Sequence, residues 1–122
     1  MTPRDLLTAA RDMLERPAAA TAGVWPRASA LLARQALESA TDQLWAANPT
    51  TSGLTECTMR SQLACLPTYL DAHLAHQITY VYAALSEACH YHAYELAPTA
   101  AELSGWINAV NDLITRVEMR HP

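Results

Sequence analysis

The sequence predicts an all-α fold, an antiparallel bundle of four to five helices in a single domain spanning residues 1–122. Three observations carry that prediction. Alanine and leucine fill 24 and 16 of the 122 positions while glycine fills three, a composition that favours helix. Apolar residues recur at spacings of three and four in each long segment, and no stretch alternates as a strand would. Prolines and capping residues punctuate the chain at intervals suited to helices joined by short loops.

Thr2-Pro3-Arg4-Asp5 reads as a helix start, with a Thr cap, Pro at the first helical position and an acid three residues after the cap. Leu6, Leu7, Ala10, Met13 and Leu14 then share one face, and Pro17 stops the helix. The stretch from Pro17 to Val24 is a connecting loop. Trp25-Pro26 opens a second helix that runs to about Asn48, before Pro49. Its seam is Ala30, Ala33, Leu37, Ala40, Leu44 and Ala47, where small side chains let a neighbouring helix approach closely. A loop from Pro49 to Gly53 leads into a short helix from about Thr55 to Leu66, closed by Pro67.

Asp71 can cap the fourth helix, expected to continue to about Leu96. Leu74, Ile78, Val81, Leu85, Ala88 and His92 mark its inner face, with Tyr82 and Cys89 beside them. Pro98 breaks the chain, and Thr99 with Glu102 forms a second capping box. Leu103, Trp106, Ile107, Val110, Ile114 and Val117 make the last apolar stripe.

Charge and cysteine usage narrow the function. A net charge of -4 excludes a protein that grips nucleic acid by bulk charge, leaving only a local phosphate site. No apolar run approaches the roughly 20 residues of a membrane span, and the first residues lack a signal-peptide core. Cys57, Cys65 and Cys89 are odd in number and form no CxxC, which points to reduced thiols and a cytoplasmic location. All eight basic residues are arginine, a bias expected of a high-GC genome.

The densest chemistry lies in Ser86-Glu87-Ala88-Cys89-His90-Tyr91-His92-Ala93-Tyr94-Glu95-Leu96. On a regular helix Ala88, His92 and Glu95 share one face, and Glu87, Tyr91 and Tyr94 another. His92 then lies in register with the core seam and His90 is the more exposed. A histidine on an apolar face is more often a hydrogen-bonded core residue than a catalyst, and Tyr91 and Tyr94 are more often packing rings.

A metal site competes for these residues. His73 and His76 open the fourth helix, and Cys89, His90 and His92 lie near its end. At 1.5 Å per residue the two sets are about 20 Å apart, so one ion cannot bridge them within a chain. No metal or other cofactor is expected. Nucleophilic catalysis finds little support, since the only thiol with a partner nearby is Cys89 beside His90, adjacent helix residues point apart, and no Gly-rich phosphate loop is present.

At His92-Ala93-Tyr94 the chain resembles the HEPN superfamily, small all-α domains of prokaryotic defence and toxin–antitoxin systems. The family motif is Arg, four to six residues, then His-x-Tyr on a late helix. The stretch WPRASALLARQALESATDQLW resembles the long early helix of that family, and the layout covers nearly the whole chain. The chain resembles in particular a small actinobacterial branch of that superfamily. The resemblance implies a homodimer that assembles a metal-independent ribonuclease site across its interface. It also implies Arg at the scissile phosphate and His92 in acid/base chemistry on the 2′-hydroxyl, with Tyr94 positioning either. By the same resemblance the partners are RNA, a cognate antitoxin or a nucleotidyltransferase that modifies Tyr94, and no membrane.

The chain departs from the motif where the cation belongs: five residues before His92 stands Glu87, and six before stands Ser86. An acid beside a developing dianionic phosphorane removes what is commonly the largest catalytic term. Glu87 instead suits a general base or a group that fixes a histidine tautomer. Five helical residues rotate by about 500°, which leaves Glu87 and His92 about 140° apart on a straight helix. A second Arg-x4-His match, Arg116 to His121, lies at the C-terminal end and lacks the tyrosine. The candidate catalytic residues are therefore His92, Tyr94, Glu87 and His90. The expected activity is weak or absent ribonuclease, and the alternatives are a non-catalytic homodimeric interaction module or a His-based metal-binding bundle.

Overall fold

The computed structural model describes residues 1–16, 25–90 and 95–120. Among these residues five α-helices form around one apolar core: α1 (Pro3–Glu15), α2 (Trp25–Ala46), α3 (Met59–Cys65), α4 (Ala72–Cys89) and α5 (Ala100–Arg120). No strand occurs among the described residues. No helix is long and apolar enough to cross a membrane among them.

Both capping boxes form. Thr2 Oγ1 accepts from the Asp5 amide at 3.1 Å, and the Thr2 amide donates back to Asp5 at 3.0 Å. Thr99 and Glu102 exchange the same pair of bonds at 3.1 and 3.0 Å. Each box satisfies two backbone groups that a helix start otherwise leaves without partners. Asp71 caps α4 by accepting from the Leu74 amide at 2.9 Å.

Helix α2 is the central element, touching α1, α4 and α5. Its Ala30, Ala33, Ala36 and Ala40 are fully buried beside Leu37, Leu44 and Trp45. Alanine there lets the neighbouring backbones come close, and Ser29 Oγ donates to the Ala10 carbonyl of α1 at 2.9 Å. Ala47 departs from the expected seam: α2 ends at Ala46 and Ala47 is exposed.

The expected third helix, Thr55 to Leu66, is broken in two. A 3-10 turn covers Ser52–Glu56, and Cys57 is extended at φ -83° and ψ 163°. Thr58 then caps α3 afresh, accepting from the Ser61 amide at 3.2 Å. The competing cap inside the segment ends one helix and starts the next. A second 3-10 turn, Leu66–Thr68, leads towards α4.

Long-range polar pairs show the helix directions. Arg4 of α1 reaches Glu118 of α5 and Arg11 reaches Asn108, so α1 and α5 run antiparallel. Arg4 donates to both Glu118 carboxylate oxygens at 2.9 and 3.0 Å and to Asn111 Oδ1 at 2.9 Å. The pair is 43% and 52% exposed, so solvent screening limits it to about 0.2–1 kcal/mol.

The hydrogen bond from Arg4 holds the Glu118 carboxyl below its usual range, and the bonds from Thr2 do the same for Asp5. A lowered folded-state value contributes stability that is present above the usual carboxylate range and lost as pH falls through the folded values. Burial pushes Asp42 the other way, opposing the trend in part. The denaturation midpoint is therefore expected to fall between about pH 5 and pH 3, and to fall less steeply in Arg4→Ala. Urea titrations at stepped pH check this, and equal slopes in the two proteins would refute it.

Candidate functional site

Helix α4 brings Glu87 and His90 to one end of the bundle, and it is shorter there than the sequence suggests. It ends at Cys89 rather than Leu96, because His90 leaves the helical region at φ -122° and ψ 14°. The His90 amide closes the last turn by donating to the Glu87 carbonyl at 3.1 Å. Along a straight helix Leu96 would stand about 24 Å from Tyr80. Instead Leu96, Ala97 and Pro98 line the same groove as Tyr80, beside α4 and just before α5.

The expected helical faces beyond Cys89 fall on residues 91–94, outside the described residues, and on Glu95, which is not part of α4. Glu95 lies in the groove with Glu87 and Glu102. Of the four candidate catalytic residues, Glu87 is exposed on α4 and lines this groove, and exposed His90 is the residue that caps α4. His92 and Tyr94 lie outside the described residues, as do Tyr91 and His121.

The groove lies between the last turns of α4 and the start of α5 and holds about 460 Å³. Tyr80, Ala84 and Ala88 form one wall, Trp106 and Thr99 the other, and Leu96 to Pro98 run along it. Its three carboxylates, Glu87, Glu95 and Glu102, are matched by no Arg among the described lining residues. Glu102 is engaged as the capping partner of Thr99. A phosphate entering this groove meets like charge.

Cations gather on the opposite side of α4. Arg34 of α2 lies over the Tyr82 ring at 5.5 Å from its centroid, and Tyr82 donates a long hydrogen bond of 3.3 Å to Glu38 Oε2. Arg34 Nε is 3.8 Å from Glu38 Oε1, an ion-pair distance too long for a hydrogen bond, and this buried nitrogen has no hydrogen-bond partner among the described residues. The side chain as a whole is 26% exposed. Burial opposes its charge, but Tyr82, Glu38 and Cys89 together hold its pKa above the usual range. Burial pushes the neighbouring Cys89 thiol up, countered in part by Arg34 and Arg27. A raised thiol is a poor nucleophile at neutral pH.

Sequence reasoning missed Arg34. The signal was its place on α2 within an otherwise apolar and small-residue stretch, but the 55 positions separating Arg34 from Cys89 hide the contact. His90 and Cys89 stand at the opposite end of α4 from the first histidine pair, and His92 lies outside the described residues. His73 and His76 are exposed near the start of α4, where His73 shares a shallow cleft with Asp71, Asp112 and Arg116, and Arg116 pairs with Asp71 at 3.4 Å. Among the described residues no group of three or more His, Cys, Asp or Glu side chains is placed to hold a metal ion.

The fold and this end of the bundle define an all-α helical protein with an acidic, partly apolar groove. No protein-family model matches the chain, and no curated protein or solved structure matches it.

Proposed function

We propose that the chain is a HEPN-like helical module of a toxin–antitoxin or defence system that binds a protein partner and does not cut RNA. One observation carries this reading: Glu87, which stands where the resembled motif has Arg, shares its groove with Glu95 and Glu102 and with no described cation. Cleaving a phosphodiester builds negative charge on the phosphorane, and carboxylates at that place raise the barrier instead of lowering it. The homodimer implied by the resemblance would use a face other than this groove, since a twofold pairing sets the three carboxylates against themselves.

A second reading is favoured by Arg34. A cation from α2 lies against Cys89, three residues before His92 in sequence, so a ribonuclease would draw its phosphate-binding charge from α2 rather than from the motif. His92 would take the 2′-hydroxyl proton, the oxygen would attack phosphorus, and the 5′-oxygen would leave with a proton from a general acid. Purified protein incubated with single-stranded RNA in excess chelator separates the readings. The module reading expects intact RNA in the wild type and in His92→Ala. Cleavage that both His92→Ala and Arg34→Ala abolish would overturn it in favour of the enzyme.

A further inference from the structure

The groove beside α4 combines features that are costly to leave facing water without a purpose. Tyr80 is 65% exposed and Leu96 is 98% exposed, and they lie beside the half-buried Trp106. Large apolar side chains gathered at one groove mark interaction surfaces. Among the described lining residues the charge has one sign, from Glu87, Glu95 and Glu102. Glu102 is committed to the start of α5, which leaves Glu87 and Glu95 to meet an incoming group. The C-terminal end of α4 and the N-terminal end of α5 meet at this groove, so their helix dipoles oppose each other and the carboxylates set its sign.

We propose that this groove docks a segment of a partner protein that carries arginine or lysine between apolar side chains. The proposal rests on the module reading and names the partner's chemistry. Apolar side chains of the segment would lie against Tyr80, Leu96 and Trp106, and its cations would face Glu87 and Glu95. The exposed Tyr80 ring offers a cation a π face as well as a neighbouring carboxylate. Charge complementarity selects the occupant. RNA is repelled, and a second copy of this chain brings the same three carboxylates to any symmetric contact.

The test titrates the full chain, labelled for nuclear magnetic resonance, with a synthetic 16-residue peptide of alternating leucine and arginine. Saturable one-to-one binding is expected, with shifts concentrated at Tyr80, Glu87, Leu96 and Trp106. The double variant Glu87→Arg/Glu95→Arg is expected to weaken binding at least tenfold. Tyr80→Ala, which leaves the charge alone, is expected to weaken it at least threefold. Asp12→Arg/Glu15→Arg alters exposed acids of α1 outside the groove lining and should leave affinity unchanged. All these sites are exposed, and circular dichroism checks that each variant folds.

Equal weakening by the α1 variant, or shifts away from the groove, would overturn the proposal as bulk attraction. Shifts at the same residues on adding an RNA oligonucleotide, or on concentrating the protein alone, would overturn it in favour of those occupants. Failure of the peptide with RNA still intact sinks the groove assignment alone, whereas RNA cleavage sinks the module reading beneath it.

Discussion

Trp45→Ala is expected to lower stability by about 3–5 kcal/mol, the range for removing a large aromatic from a core. Trp45 is completely buried at the end of α2 and joins three parts of the fold. Its indole Nε1 donates to Gln62 Oε1 of α3 at 3.0 Å, and its ring meets Tyr69 edge-on at 5.5 Å. Its carbonyl accepts from the buried Thr51 hydroxyl at 2.7 Å, which ties down the loop after α2. Gln62 in turn donates to the Cys57 carbonyl at 2.8 Å. Alanine leaves a cavity and takes the donor from a buried amide oxygen together. Trp45→Phe separates the two effects, since it keeps most of the ring and loses the N–H. Its expected cost is about 1–3 kcal/mol, the penalty for an unpaired buried acceptor plus a small volume loss. Chemical denaturation of the three proteins checks the order wild type, Phe, Ala. A Phe variant as stable as the wild type would show that the Gln62 bond contributes nothing.

The double substitution Ala33→Leu/Ala40→Leu is expected to cost about 2–6 kcal/mol, from about 1–3 kcal/mol for each overpacked site. Both alanines are fully buried on α2. They are seven residues apart, about 10.5 Å along the axis, so their effects should add. No space exists for the added carbons unless a helix packed against α2 moves outward. Gln35→Leu, exposed on the same helix, controls for the change in helix propensity and should stay within about 0.5 kcal/mol of wild type. Thermal melts followed by circular dichroism read the difference. A double variant as stable as the Gln35 control would refute close packing along this seam. With domain stabilities of roughly 5–15 kcal/mol, the upper part of the expected range leaves a largely unfolded protein.

Most of the helical layout was legible because it depends on local chemistry. Thr2 with Asp5, and Thr99 with Glu102, supply caps within four residues of chain, so their meaning survives any tertiary arrangement. The stripes at Leu74, Ile78, Val81 and Leu85 and at Leu103, Ile107, Val110 and Ile114 hold because burial follows the helical period. Two boundaries were not legible. Thr58 caps a new helix inside a segment whose composition suits one continuous helix, and the competition between caps is decided by the turn at Cys57. At His90 no Gly or Pro announces the stop, so periodicity carries on past the point where the backbone turns.

The candidate site was legible in composition and not in geometry. The crowding of acids, histidines and tyrosines between Glu87 and Glu95 is plain in the chain. That Glu87 and Glu95 line one groove depends on the tertiary fold, which places Leu96 and Tyr80 together. That Arg34 faces Cys89 depends on the antiparallel packing of α2 on α4, across 55 positions.

The sequence by itself determined an all-helical chain, its caps, its buried stripes and the carboxylate at position 87. Each of these follows from residues a few positions apart, where backbone hydrogen bonding and the helical repeat leave little choice. Only the tertiary structure decided which charges share a space. Helix packing put three carboxylates and two exposed apolar side chains on one side of α4 and an arginine on the other. Electrostatic energy depends on distance through space, and distance along the chain carries almost none of that information.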